Sequence, residues 1–187
     1  MILAISDDAI EPFIKLHLKK NVNCTVIHCS AVQLIPGTIA IHPLASFAES
    51  LYALKTYQQI PLIIDVDTSL TSINIQQLPN PIYRLPQRHR VLYHALCCIS
   101  GNFSTLLWQD MLKTSKDAFN FDPQVFHSYL DTIQQQIKHN PKNALTGPLS
   151  RGDNKTLNKH LEALGNTPMK QLYQAFITYF NQTESKL

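Results

Sequence analysis

Two polar side chains in the middle of this chain could act together on one substrate. His94 and Asn102 lie eight residues apart, just over two turns of a helix, so both could reach one cavity from successive turns. A histidine exchanges a proton near neutral pH, and an asparagine amide can donate a hydrogen bond to a carbonyl oxygen. The spacing therefore predicts a site that holds or protonates a carbonyl group. Purely structural hydrogen bonding of both side chains is the alternative that the sequence leaves open.

A further histidine, His42, follows the apolar run Thr38–Ile41 and opens the stretch HPLASF. Ligands of open α/β sheets bind beyond the carboxyl ends of the strands, where a histidine could polarise a carbonyl or move a proton. A histidine that is hydrogen-bonded to the backbone of a turn is the alternative.

Short polar stretches also follow the first two apolar runs. Ser6 and Asp7 come after Ile2–Ile5, where a carboxylate could approach a bound ribose. The same residues are also a typical helix start, with an N-cap and a favourable contact to the helix dipole. Ser30 ends the second run and could meet a ligand or simply complete a turn.

The loop ALTGPLSRGD, residues 144–153, carries Arg151 between two glycines. A guanidinium at this position could clamp a carboxylate or a phosphate. A tight connection between helices, in which Arg151 binds the last carbonyls of a helix, is equally compatible with the sequence.

Composition argues against several other kinds of protein. The net charge is only +3 and no Lys/Arg run is longer than Lys19-Lys20, so no nucleic-acid partner is expected. No apolar run approaches the roughly 18 residues of a membrane span, and no signal peptide is evident, so a cytoplasmic protein without a membrane partner is predicted. The motifs GxSxG, HExxH and CxxC are absent. We therefore expect no metal, and the four cysteines are expected to be reduced thiols.

Strands followed by helices place these candidate residues. Apolar strands separated by helical stretches indicate a parallel sheet covered on both faces, with the last strand at an edge because of its prolines. The predicted domains are residues 1–86, an α/β part, and residues 87–187, an all-helical part. The predicted strands are Ile2–Ile5, Thr25–His28, Thr38–Ile41, Pro61–Val66 and Pro81–Leu85; the predicted helices are residues 6 to about 20, 90–108, 123–139, 153–164 and 168–180.

The helix Arg90–Trp108 forms the seam between the two parts. At about 100° per residue, its apolar side chains share one face and its polar side chains lie mostly on the other. Asn102 is the exception, at the flank of the apolar face. We expect the helix to be mostly buried, so its polar stripe should line a pocket or pack on polar groups, since an unpartnered buried amide or imidazole costs roughly 1–3 kcal/mol. The apolar face consists of Leu92, Ala95, Leu96, Ile99, Phe103, Leu106 and Leu107.

Five stretches, in this order, resemble one poorly characterised family of Rossmann-type proteins: LAISDDAI, VIHCSA, IHPLASF, YHALCCISGNF and ALTGPLSRGD. That family is grouped with pyrroline-5-carboxylate reductase and with the deazaflavin-dependent NADP oxidoreductases, in the 6-phosphogluconate dehydrogenase superfamily. The resemblance covers Ile2 to about Phe180. It implies a dinucleotide-binding domain that leads through a long helix into an all-helical domain, which often dimerises. An NADP or NAD cofactor and a homodimer are therefore implied here.

Position by position, the resemblance also implies roles for single residues, all in hydride transfer to or from a small-molecule substrate. Six residues should face the cleft between the two parts and three should lie near the cofactor. The catalytic group is His42, His94 and Asn102; the substrate-binding group is Tyr93, Thr146 and Arg151; the cofactor-binding group is Ser6, Asp7 and Ser30. The resemblance implies neither the substrate nor a choice between NADP and NAD.

The chain departs from the family pattern at its start. The family opens with a strand, a GxGxxG turn and two further strands, and none of the five glycines here forms that motif. Without this pyrophosphate cradle, dinucleotide affinity should fall. The run Ile2–Ile5 should become an exposed apolar edge, which we expect a second subunit or a rearranged segment to cover.

A second departure lies in the helix, which reads SGN where ASN is usual. Together these features predict an α/β, truncated Rossmann-like protein related to NAD(P)-dependent oxidoreductases. The alternative is a non-enzymatic dimerisation or regulatory module derived from such an enzyme. A misassigned start codon is a third explanation of the missing segment.

Overall fold

The computed structural model describes residues 1–18, 24–69 and 77–184. The chain separates into two compact units, Met1–Met111 and Leu112–Leu187. The first unit contains a sheet and the second is helical. The strands end where the sequence predicts, before residue 87, but the division between the compact units falls later, inside the long helix that follows the last strand.

The described part of the first unit is built on one five-stranded sheet, in which neighbouring strands follow each other in chain order. Three of the four strand pairings are parallel, and β3 pairs with β4 antiparallel. The predicted α/β class is therefore confirmed, with a sheet that is mostly parallel. The strands are β1 (Ile2–Leu3), β2 (Val26–His28), β3 (Thr38–Pro43), β4 (Leu62–Asp65) and β5 (Ile82–Leu85).

Apolar side chains pack on both faces of this sheet, because successive residues of a strand point to opposite sides. On one face, Ile10 of helix α1 (Asp7–His17) packs with Leu3 and Val26. On the other face, the fully buried Ile64 packs with apolar neighbours from β3 and β4. These two clusters hold the sheet on which the first unit is built.

β1 lies at one edge of the described sheet, and it exposes apolar surface as the sequence predicts. Ile2 is 68% exposed and Ile5 is 42% exposed. Covering of this edge by a second subunit stays a prediction. The helix predicted to run to about Lys20 is α1, which ends at His17, and Lys20 lies outside the described residues.

One continuous helical segment, Gln87–Phe119, follows β5 and extends beyond the predicted Arg90–Trp108. After a 3-10 turn it continues as α3 (Arg90–Cys97), becomes π-helical over Cys98–Phe103 and ends as α4 (Ser104–Phe119). By length and composition alone this segment could span a membrane, with a mean hydropathy of 1.2 over 18 residues. Core helices of proteins outside membranes pass the same test, so the predicted absence of a membrane partner stays a prediction.

The expectation that this helix is mostly buried is wrong. Most of its apolar face keeps more than half of its surface exposed, and the periodicity identified the apolar face without revealing whether another element covers it. The exposed residues are Leu92, Leu96, Ile99, Phe103 and Leu106.

Helices α5 (His127–His139), α6 (Asn154–Ala163) and α7 (Pro168–Glu184) make up most of the second unit. Aspartate side chains cap the helical segments at two of their starts. The Asp122 carboxylate accepts a hydrogen bond from the backbone N–H of Gln124 at 2.8 Å, at the 3-10 turn before α5. Asp153 caps α6 by accepting from the backbone N–H of Thr156 at 3.1 Å. These caps satisfy N–H groups that the first turn of a helix leaves without partners.

Candidate functional site

A cavity of about 900 Å³ lies within the first unit, beside the polar stripe of the long helix. Four of the sequence-predicted site residues line it: His42, Tyr93, His94 and Asn102. The expectation that the polar stripe lines a pocket is therefore confirmed. The remaining lining residues are Leu44, Ala45, Ser46, His89, Leu92, Leu96, Cys97, Ser100, Gly101 and Thr105.

His42 is held by the sheet and contacts two residues of α3. It lies inside β3, not beyond its end as predicted, because the strand continues to Pro43 opposite Leu62 of β4. Its Nδ1 is 3.0 Å from the Tyr93 hydroxyl. The His42 and His94 rings meet edge to face, with centroids 5.8 Å apart. The sheet and the helix thus bring three polar groups together on one wall of the cavity.

Burial sets the protonation states at this contact. It lowers the pKa of His42 to about 4, and its electrostatic interactions with His94 and Arg90 act in the same direction. Burial also raises the pKa of Tyr93, as does its hydrogen bond with Cys97. At neutral pH the contact therefore joins a neutral imidazole and a neutral phenol. Such a pair can pass a proton without carrying a net charge.

Asn102 reaches the cavity from the π-helical part of the long helix, a rare conformation that is often found at functional sites. Among the described residues, no side chain or backbone group hydrogen-bonds the Asn102 side-chain amide. Purely structural hydrogen bonding, the alternative role for Asn102, is therefore supported by no contact. His94 lies one turn before Cys98, with its Nε2 at 3.8 Å from the Cys98 Sγ. The Asn102 amide is therefore available to a ligand.

Arg90 fixes the wall of the cavity, although the sequence did not single it out. It is the first residue of α3, it is 1% exposed, and its guanidinium makes three hydrogen bonds. It donates to Asp65 Oδ1 at 3.1 Å and to the carbonyl oxygens of Ala31 and Ser30 at 2.9 and 3.0 Å. These bonds tie the helix that carries the cavity residues to the ends of β2 and β4. An arginine beginning a helix, with an aspartate ending an apolar strand, was the available sequence signal.

Two of the three residues predicted to lie near a cofactor, Ser30 and Asp7, contact each other. The Ser30 hydroxyl donates to Asp7 Oδ2 at 2.7 Å and accepts from the two backbone N–H groups of Val32 and Gln33. Ser6 is the residue immediately before α1, and its side chain makes no capping hydrogen bond. Contact of these three residues with a cofactor stays a prediction.

The turn between β1 and α1 does not fit a pyrophosphate. A dinucleotide site of this fold places a glycine-rich turn and a helix N-terminus against the phosphates. Here the helix opens with Asp7 and Asp8, whose carboxylates already interact favourably with the helix dipole and repel a phosphate. At this position the described residues offer no pyrophosphate cradle.

Thr146 and Arg151 lie in the second unit, on the exposed loop before α6. The loop is tight, since the Arg151 N–H donates to the Gly147 carbonyl at 3.3 Å. Hydrogen bonds from Thr156, and to a lesser degree the charge of Arg151, lower the pKa of the Asp153 carboxyl. The cleft roles predicted for Thr146 and Arg151 stay predictions.

The described residues contain no group of three or more His, Cys, Asp or Glu side chains that could hold a metal ion. The four cysteines are free thiols.

Two crystal structures share the fold of this chain. One, from Bacteroides fragilis, is named "putative NADP oxidoreductase"; its TM-score is 0.82 at 17% identity, over 97% of this chain and 74% of that one. The other is a protein from Thermotoga maritima, with a TM-score of 0.75 at 22% identity, over 99% of this chain and 78% of that one. At these identities the likeness shows the fold alone.

Comparison with curated proteins finds no match. The model of a family described as a domain of unknown function, DUF2520, matches residues 67–179, and because this is more than half of the chain, the chain belongs to that family.

Proposed function

We propose that this chain is an NADP-oxidoreductase-like protein whose 900 Å³ cavity binds a small carbonyl compound. The observation that carries the proposal is the convergence of His42, Tyr93, His94 and Asn102 on that cavity. The fold shared with an oxidoreductase-named protein supports the class of reaction. The identity of the substrate class and the use of a cofactor are both parts of this proposal. The β1–α1 turn of the described residues does not fit the pyrophosphate of such a cofactor.

The cavity residues divide the work that a carbonyl requires. Asn102 donates a hydrogen bond from its amide to the carbonyl oxygen, where negative charge develops during reduction. The oxygen must then gain a proton, which His94 or the Tyr93 hydroxyl donates. Solvent returns a proton to the donor, through the His42 ring in the case of Tyr93. Arg90 acts as a positioning residue, because it holds the start of α3 without lining the cavity.

The second candidate is a non-enzymatic dimerisation or regulatory module. The exposed apolar face of the long helix favours it, since large apolar patches on a protein surface mark interaction sites. A homodimer fits both candidates, because that face and the β1 edge could each be covered by a second copy. We also propose that the protein is cytoplasmic and has no nucleic-acid partner.

Cofactor binding separates the two candidates. NADPH and NADH would be titrated by calorimetry into the wild-type chain and into Arg151→Ala, which tests the predicted anionic clamp. The oxidoreductase proposal expects saturable binding below millimolar cofactor, through contacts other than the β1–α1 turn, and this binding should weaken on substitution. Absence of binding at millimolar cofactor would leave the non-enzymatic candidate.

Turnover tests the cavity itself. NADPH oxidation would be followed at 340 nm with a panel of small aldehydes and ketones. Asn102→Ala should lower kcat about a hundredfold, the usual effect of removing one donor to a developing oxyanion, with an unchanged melting temperature. Asn158→Ala is the matched control, because Asn158 is also an exposed helical asparagine but lies on α6. Equal activity of the two variants would remove Asn102 from the proposal.

A further inference from the structure

The cavity beside the long helix has walls without acidic or basic side chains other than histidine. Among its described lining residues there is no lysine, arginine, aspartate or glutamate. Its polar side chains are hydroxyls, imidazoles, a thiol and the Asn102 amide. A carboxylate or a phosphate loses hydration when it enters a protein cavity, and without a paired cation this loss is not recovered. The walls therefore favour an uncharged ligand over an anion.

The two arginines at the start of the long helix do not supply that cation. Arg90 is 1% exposed, and its guanidinium is bound to the Asp65 carboxylate and to two backbone carbonyls. Arg88 is exposed and does not line the cavity, and its Nε donates to His89 Nε2 at 3.2 Å. The accepting nitrogen of His89 carries no proton, so this lining ring is uncharged. The His42 ring is neutral as well, because burial lowers its pKa.

Three leucines give the same cavity an apolar wall. Leu44 is 40% exposed, Leu92 is 60% exposed and Leu96 is 54% exposed, and all three line the cavity. Leu92 and Leu96 lie four residues apart on α3, so their side chains are neighbours on the helix surface. A hydrocarbon group in the cavity would remove this exposed apolar surface from water, which is favourable. The leucines therefore favour a ligand with an apolar body.

The size of the cavity allows both walls to be used by one ligand. Its volume of about 900 Å³ lies in the upper part of the range for small-molecule sites, which are typically lined by apolar side chains with a few polar groups that fix orientation. The polar groups here are Tyr93, His94 and Asn102, which the proposed function assigns to the carbonyl. The leucine wall is then left for the rest of the ligand.

We propose that the cavity selects uncharged ketones or aldehydes with an apolar body, such as aryl ketones, over oxo acids and sugar phosphates. This inference rests on the proposed function, which places a carbonyl beside Asn102 and leaves the rest of the substrate open. Leu92 and Leu96 pack on the hydrocarbon part, and no cation compensates an anionic group. Part of the exposed apolar face of the long helix thus belongs to the ligand site and is not available to a second chain.

A neutral and a charged aryl ketone of one shape, 4-acetylbenzamide and 4-acetylbenzoate, test this selectivity. Each would be titrated by calorimetry into the full chain without cofactor at pH 8, where an ordinary histidine is neutral. The amide should bind saturably at millimolar concentration, and the carboxylate at least about tenfold more weakly. Leu96→Gln should weaken amide binding about tenfold, because it makes the apolar wall polar. Leu106→Gln is the matched control, since Leu106 is 55% exposed on the same long helix but does not line the cavity.

Equal or tighter binding of the carboxylate would overturn the proposal, and its loss in Arg88→Met would show that Arg88 binds the anion. No binding of the amide, or equal losses in the two leucine variants, would also overturn it. If Leu96→Gln fails to fold, the two ketones on the wild-type chain still decide.

Turnover with NADPH separates this inference from the proposed function. Reduction of the carboxylate but not of the amide would refute the selectivity and leave the oxidoreductase proposal intact. Selective binding of the amide without any turnover would refute the oxidoreductase proposal and leave the ligand class intact.

Discussion

The two compact units of this molecule differ in how they treat their apolar residues. The sheet unit buries Ile10 and Ile64 completely. In the described part of the helical unit, only Ser115 and Leu157 are buried, and Phe176 is among the large apolar side chains that stay exposed. Burial of apolar area is the main favourable term in folding. Stability is therefore concentrated in the sheet unit, whereas the helical unit exposes apolar surface that could associate with another chain.

The largest expected effect comes from the ion pair of the sheet unit. Arg90→Met leaves Asp65 buried without its partner, which should lower the free energy of unfolding by about 3–5 kcal/mol. Arg88→Met, two residues earlier and exposed, is the control and should change little. Urea denaturation measures both. Similar small changes in the two variants would contradict the view that the pair secures the sheet unit, and the double variant Arg90→Met/Asp65→Leu should recover part of the loss.

Matched isoleucines test the difference between the units directly. Ile64→Ala removes a fully buried side chain and should cost about 3 kcal/mol, whereas Ile137→Ala on α5, where the side chain is 53% exposed, should cost less than about 0.5 kcal/mol. Chemical denaturation at low protein concentration gives both values. A cost at Ile137 that approaches that at Ile64 would mean that the helical surface is covered in solution, and the cost should then depend on protein concentration.

A further expected effect is the pH dependence of the stability that His42 contributes. Its pKa of about 4 in the folded chain lies below the usual histidine value of 6.5, so the unfolded chain binds more protons between these two values. The stability contribution of the neutral ring is therefore complete above pH 6.5 and is lost as pH falls toward 4. His42→Phe should flatten this part of the pH–stability profile, and His127→Phe should not. Identical slopes for wild type and His42→Phe between pH 6.5 and 4 would refute the assignment.

The sequence predicted the fold class and the strand positions well, because apolar runs bounded by prolines and polar residues mark buried strands. It did not predict the antiparallel pairing of β3 with β4, since a run of apolar residues does not encode strand direction. It also missed helix α2 (Leu54–Gln59), a short helix without a buried residue and without a capping side chain.

The site was predicted in part. Periodicity placed Tyr93 and His94 on a polar stripe that lines the cavity. It placed Asn102 at the flank of the apolar face, although Asn102 lines the cavity as well. The Arg90 network could not be read from the sequence, because burial of a single polar side chain is decided by tertiary contacts between distant strands and helices. The exposure of the apolar face was missed for the same reason.

The π-helical segment Cys98–Phe103 also makes the chain sensitive to insertion and deletion. In a π-helix each N–H bonds the carbonyl five residues earlier, so the segment accommodates one residue more than an α-helical turn. Deleting Gly101 would remove that extra residue and restore a regular α-helix, so the side chains of α4 should keep their direction. Deleting one residue of α3 instead would turn every later side chain by about 100° relative to those before it, and Asn102 would then leave the cavity although no polar residue had been replaced. The position of the amide is thus encoded by the number of helical residues before it as well as by their types.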